Sequence, residues 1–308
     1  MPKDIIDKTA YIASYLYGIS GMFAASIYFS FSSLVRDKAL KYIFYLFVFF
    51  IVLQQVIFVL SGYYLDLHKV ITIFAYESRY SNNFIFLGPM IRPTIFFQEP
   101  SNAAIVIYGL GFLSYINGNK NLCLKYIYIS FLTFSFAAFV MGCFIIFHLF
   151  ITRMRIMRKS YVVVAVLLLL SSPLLVTLFE SINFGYNAVG YRLRFLELLQ
   201  NANLYEVFFG FGLYFILEPV MVHDITLNSS HFKDTGFLVN VLLSSGVLGL
   251  FLFLTWLSKN SRDVILSGLL VAIFMTKIEL NMPTFWIVVY SLSFYSMYVQ
   301  NKKIKGYL

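Results

Sequence analysis

The chain has 308 residues, of which 60% are apolar, 19% aromatic and 12% charged, with a formal net charge of +9. Soluble domains carry about 25% charged residues, so an ordinary soluble enzyme is excluded, and no soluble basic domain exists to bind nucleic acid. The uncharged run Tyr161–Phe179 is 19 residues long, close to the ~20 of a spanning helix, whereas the ~10-residue alternating segments of a membrane barrel are absent. The expected class is all-α: a polytopic transmembrane helical bundle of about nine spans, forming a single integral membrane domain over residues 1–308.

Residues Met1 to Lys8 mix charge signs and precede a long span with no cleavage site, so they read as retained rather than as a removed signal peptide. Spans follow at Thr9–Leu34, where Gly18, Ser20 and Gly21 mark a candidate break, at Tyr42–Gly62 and at Ala103–Asn117. The run Leu122–Phe150 is too long for one span of fixed orientation. As a single helix it would put Lys120 and the cluster Arg153, Arg155, Arg158 and Lys159 on opposite sides of the membrane, against the cytoplasmic bias of Lys and Arg. A split at Thr133-Phe134-Ser135 makes two short spans and returns both basic loops to the cytoplasm. Tyr161–Phe179, Asp234–Leu257, Val264–Leu280 and Thr284–Gln300 complete nine spans, with the N-terminus outside and the C-terminus inside. Cys123 and Cys143 fall in apolar runs and read as buried free thiols.

Two long segments, Tyr63–Asn102 and Glu180–Lys233, then form outer loops. Loops beyond ~12–15 residues are commonly functional or disordered. These are rich in Tyr, Phe and Ile and lack Ser/Pro/Gly repeats, which favours ordered, partly re-entrant segments. Their cations are Lys69, Arg79, Arg92, Arg192, Arg194 and Lys233. Cations outside run against the usual bias, so the alternatives are tolerated loop charge and an anion site at the outer leaflet.

Three local patterns stand in or beside these loops. The first is Arg92-Pro93-Thr94-Ile95-Phe96-Phe97-Gln98-Glu99-Pro100-Ser101. Pro100 suits the first turn of a helix, and Ser101 or Asn102 supplies a cap, but a helix start does not explain Arg92. The second is Gly190-Tyr191-Arg192-Leu193-Arg194, leading to Gly210-Phe211-Gly212; a helix capped by Gly210 or Gly212 is the plain reading. The third is His231-Phe232-Lys233-Asp234-Thr235-Gly236, running into Gly246 and Gly249. Asp234 either caps that helix or serves chemistry, and the two glycines allow close helix approach.

The order of these patterns resembles the O-antigen polymerase and O-antigen ligase superfamily of bacterial membrane glycosyltransferases. The resembling residues are Arg92, Phe97, Glu99 and Pro100 entering a span; Gly190, Arg192, Gly210 and Gly212 in the large outer loop; and Asp234, Gly246 and Gly249 at its end. The Thr133–Ser135 turn is similar to a Ser/Thr turn between two family spans. Asp234-Thr235-Gly236 stands where ligases commonly have a His-Asn pair, which points to the polymerase branch. The chain is short for the family.

The resemblance implies a donor glycan on undecaprenyl pyrophosphate, at the outer face of the bacterial inner membrane, used without nucleotide sugar, metal or other cofactor. It implies pyrophosphate binding by Arg92, Arg192 and Arg194, with Lys233 and Arg79 behind them. Acceptor activation falls to Glu99, Asp234 or His231, Glu99 first; an equal alternative pairs Glu99 with Arg92 to shape the site. Tyr80, Asn82, Asn83, Tyr186, Tyr191 and His223 are candidates for a sugar groove. Expected partners are the lipid-linked oligosaccharide, membrane lipids and a chain-length regulator, with no nucleic acid. The rival activities are ligation to another acceptor and transport of a polysaccharide or lipid. A transporter keeps ionisable groups or broken helices near mid-membrane, whereas the span interiors here are almost uncharged apart from Lys125 and His148.

Overall fold

The computed structural model describes residues 3–71, 78, 90–135, 138–139, 141–143, 145, 199–212, 220–222, 225–227, 236–261, 264–274, 276, 278 and 282–304. Their elements in chain order are α1 (Lys3–Ser30), α2 (Ser33–Ser61), α3 (Leu67–Ile71), α4 (Pro100–Ile116), α5 (Lys120–Phe131), α6 (Leu204–Phe209), β1 (Val220–Val222), β2 (Ile225–Leu227), α7 (Phe237–Asn260), α8 (Val264–Phe274) and α9 (Pro283–Ile304). The described residues are therefore helical, as composition demands. Beside the helices, one short antiparallel pair is described, with Val220 opposite Leu227 and Val222 opposite Ile225.

Two helices, α2 at 29 residues and α7 at 24, are long and apolar enough to cross a membrane. α2 is not a buried core helix: Tyr42 is 74% exposed and Leu60 is 81% exposed. Ser32 caps its start by accepting from the Val35 amide, and Gly62 ends it in the left-handed region at φ 70. By contrast α5 has 12 residues, a rise of about 18 Å at 1.5 Å per residue, short of a ~30 Å hydrocarbon layer.

The chain divides into two compact units, one of residues 15–147, 268–273 and 280–308, the other of residues 1–14, 148–267 and 274–279. In the first, α4 is apolar on all sides and correspondingly buried, with Ile105, Ile107, Tyr108 and Phe112 at most 1% exposed. It packs antiparallel on α5 through the turn Asn117-Gly118-Asn119, where Gly118 takes φ 91 and Asn119 caps α5 by accepting from the Leu122 amide. Close approach is permitted at Gly111, whose missing Cβ would lie 3.3 Å from the Tyr126 Cβ. Tyr126 donates to the Leu40 carbonyl at 2.6 Å, and Tyr108 donates to the Ala138 carbonyl at 3.0 Å. At the other end of this hairpin, Arg36 Nε donates to Asn117 Oδ1 at 2.9 Å while its guanidinium lies over the rings of Tyr28 and Phe29.

The candidate break in the first helix is absent. α1 runs unbroken, and Gly21 serves packing instead: a Cβ there would lie 2.4 Å from the Trp286 Cβ of α9. The expected split near residue 133 is present. α5 ends at Phe131, residues 132–134 turn with Phe134 at φ 47, and helix resumes at 138.

In the second unit, Phe237, Phe253 and Phe274 form a ring cluster with centroids 5.1–5.5 Å apart. α7 is not continuous: Gly246 takes φ 66 and ψ −170, which breaks the helix ten residues in.

Candidate functional site

The Arg92 stretch is held by side chains from α2 and from the residues just after it. Gln54 and Gln55 are consecutive amides in the apolar second half of α2, and each grips the N–H and C=O of one residue, Ile95 and Ile91. Gln54 Oε1 accepts from the Ile95 amide at 3.0 Å, and its Nε2 reaches Leu65 O at 2.9 Å, Tyr64 Oη at 3.2 Å and Ile95 O at 3.5 Å. Gln55 Oε1 accepts from the Ile91 amide at 3.2 Å while its Nε2 donates to Ile91 O at 2.6 Å.

Tyr64 adds a third fixing point. Its phenol oxygen accepts from the Thr94 amide at 3.2 Å and from Gln54, and the phenol also pairs with the Thr94 hydroxyl. Burial raises the Tyr64 pKa against the hydrogen bonds from Thr94 and Ser78, which keeps it a phenol. His68 Nδ1 lies 3.0 Å from Phe96 O. Asp66 starts α3 by accepting from the Lys69 amide at 3.1 Å and also accepts from the Ser78 amide at 2.9 Å. Burial works against the Asp66 carboxylate, yet these bonds hold its pKa below the usual value. Under this restraint Ile95 sits at φ 56, a region that β-branched residues avoid and occupy only when their surroundings over-determine it.

Arg92 is half-buried and donates through Nε to the Phe134 carbonyl at 3.1 Å. Phe134 is itself in the left-handed region and belongs to the turn between α5 and the helix that follows. Burial lowers the Arg92 pKa and the Glu99 carboxylate opposes the shift; a guanidinium stays charged throughout. Bonding through Nε leaves the two terminal nitrogens as the fork that carboxylates and phosphates accept from. Beside Phe134, Ser135 is 2% exposed and its Oγ has no hydrogen-bond partner among the described residues.

Glu99 is the residue before α4, with extended φ −132 and ψ 149, and its backbone carbonyl accepts from the Asn102 and Ala103 amides. Its carboxylate Oε2 accepts from Ser101 Oγ at 3.1 Å. The expected capping by Ser101 or Asn102 is thus corrected: Pro100 is the first helical residue, and Ser101 orients Glu99 instead.

In the other unit, the second and third glycine patterns meet. Gly210 caps α6 with its amide on Glu206 O at 2.8 Å; the Phe211 amide then donates to Leu243 O at 2.8 Å, and the Gly212 amide to Ser244 O at 3.1 Å. These carbonyls lose their helical partners where α7 breaks, and the glycine segment replaces them. A Cβ on Gly210 would lie 2.4 Å from Ser244 C, and one on Gly246 would lie 2.2 Å from Phe208 O. Only glycine fits at either place.

The remaining candidates, Arg79, Arg192, Arg194, His231, Lys233 and Asp234, and the groove candidates Tyr80, Asn82, Asn83, Tyr186, Tyr191 and His223, lie outside the described residues. Among the described residues no group of three or more His, Cys, Asp or Glu is placed to hold a metal ion. An open polar depression of about 470 Å³, lined by Ser33, Asp37, Asn117, Asn119 and Lys120, lies at the end of the α4–α5 hairpin away from Arg92. Sequence reasoning missed Gln54, Gln55 and Tyr64; the available signal was a pair of amides inside an apolar helix. Compared with protein families, curated proteins and solved structures, the chain matches none.

Proposed function

We propose that this chain is a multi-pass enzyme of the bacterial inner membrane that polymerises a polysaccharide, of the O-antigen, capsule or exopolysaccharide kind. It transfers a growing glycan from undecaprenyl pyrophosphate to a lipid-linked repeat unit at the outer face. The observation that carries the reading is Arg92, half-buried and held by Nε on Phe134 O at 3.1 Å with Glu99 close enough to act on its charge. A restrained guanidinium beside a carboxylate suits a reaction in which an anion leaves and a hydroxyl attacks. The acceptor hydroxyl bonds to C1 of the donor sugar and gives its proton to a base: the Glu99 carboxylate first, with the Asp234 carboxylate and the His231 imidazole as alternates. The bond from C1 to the pyrophosphate oxygen breaks, and undecaprenyl pyrophosphate leaves as the anion bound by Arg92, Arg192, Arg194 and Lys233.

The depth of the stretch fits a lipid-borne donor. Gln54 lies seven residues before the end of α2, about 10 Å along its axis. The Arg92 segment is then re-entrant, near the level where a lipid headgroup joins its tail. Contact between the Gly210 and Gly246 segments supports the resemblance, because both belong to its motifs. A ligase uses the same donor and differs in its acceptor. Transport is a second reading with an observation of its own: α7 is a broken helix, as in many transporters.

Arg92→Ala and Arg192→Ala, each expressed in a strain lacking the native gene, test the proposal. Both variants are expected to insert normally and to lose long-chain polysaccharide. Normal chain lengths in both would overturn the pyrophosphate role.

A further inference from the structure

We infer that Gln54 and Gln55 are positioning residues that hold Arg92 in the conformation that receives a pyrophosphate; the inference rests on the reading of Arg92 above. Consecutive helical residues point about 100° apart, so the two amides reach two separate points of the same stretch. Those points are Ile91 and Ile95, which bracket Arg92. Each amide uses both its carbonyl and its NH₂ on the N–H and C=O of one residue, as a neighbouring strand does, so the peptide groups on both sides of that residue are tied to α2. Gln54 has no exposed surface. Water therefore does not replace it, and together with the Phe97 amide bond to Thr94 O it holds Ile95 at φ 56.

The consequence for Arg92 is directional. With Ile91 and Ile95 fixed from α2, and Nε fixed on Phe134 O, the guanidinium fork has one orientation before ligand arrives. Preorganised donors bind an anion without first paying to order themselves. If loss of one grip lowers the competent population to about a tenth, apparent affinity falls about tenfold. The intrinsic contacts of the guanidinium stay the same.

The test uses the full-length protein in lipid nanodiscs, with undecaprenyl pyrophosphate as probe and undecaprenol as the headgroup-free control. Variants are Gln55→Met, which keeps length and loses both bonds, Gln55→Glu, which keeps only the acceptor for the Ile91 amide, and Arg92→Ala. The expected result is about tenfold weaker binding for Gln55→Met, a smaller loss for Gln55→Glu, and unchanged undecaprenol binding in both. In turnover with a lipid-linked repeat unit, KM for the donor is expected to rise while kcat holds, a split that a merely less stable protein does not produce. If Arg92→Ala weakens pyrophosphate binding and neither Gln55 variant does, the positioning role is overturned and the reading of Arg92 stands. Unchanged binding in Arg92→Ala overturns both. Should Gln55→Met fail to insert, Gln55→Glu carries the same comparison.

Discussion

Replacing Gly246 with alanine probes the junction between the two glycine motifs. The φ 66, ψ −170 of Gly246 lies in a region that is nearly exclusive to glycine, and holding another residue there costs about 1–3 kcal/mol. The new Cβ would also sit 2.2 Å from Phe208 O, 2.3 Å from Phe208 C and 2.6 Å from Gly210 N. All three are backbone atoms, so relief requires moving α6 away from α7, an overpacking cost of about 1–3 kcal/mol. That movement also weakens the Phe211 and Gly212 amide bonds to Leu243 O and Ser244 O, each worth about 1 kcal/mol. The total is on the order of 4 kcal/mol. Gly212→Ala is the internal control, because its φ of 104 is unfavourable while nothing lies within 4 Å of its Cβ; it should lose about 1–2 kcal/mol. Equilibrium unfolding by SDS titration in mild detergent reads both. Equal losses for the two variants would refute the packed junction.

Two further outcomes follow from the Arg92 region. Because the folded pKa of Asp66 is lowered, its contribution is present above the unfolded value of about 3.9 and is lost as pH falls through the folded value. Amide exchange over residues 64–71, corrected for intrinsic rates, should stay protected from pH 7 to about 4 and open only below that; opening between pH 7 and 5 would contradict the capping role. Ser135→Ala removes a buried hydroxyl with no partner among the described residues, so stability should be unchanged or slightly higher. If that hydroxyl contacts ligand, affinity for undecaprenyl pyrophosphate should fall severalfold at unchanged stability. A clear loss of stability would show that the hydroxyl serves the fold instead.

Part of this architecture is legible in the chain, for physical reasons that differ by residue. The start of α4 at Pro100 is legible because a proline without an N–H fits only the first turn of a helix. The end of α5 near Thr133 is legible through charge, since the basic groups on either side of the apolar run belong on one side of a membrane. The grip of Gln54 and Gln55 is not legible. An uncharged amide interrupts a hydrophobic run only mildly, and its partners Ile91 and Ile95 lie 36 and 41 residues away. Gly246 reads in sequence as a small residue for close approach, which is what it is. That the approaching backbone is the Gly210 segment, and that the helix breaks to receive it, depends on a contact distant in sequence. The hairpin at 220–227 escapes because its strands are three residues each, too short for alternation to register. The length of α5 is a similar case: two short spans satisfy the charge rule, but 12 residues do not reach across a bilayer.

The central claim is that a pyrophosphate-linked glycan is polymerised at Arg92. The most direct measurement is turnover by the purified full-length protein in nanodiscs supplied only with undecaprenyl-pyrophosphate-linked repeat units, in chelator. A ladder of lipid-linked glycans that grows with time, and vanishes in Arg92→Ala, is the predicted result. Absence of any ladder from a preparation that binds the lipid donor, or a ladder that needs added divalent metal, would contradict it.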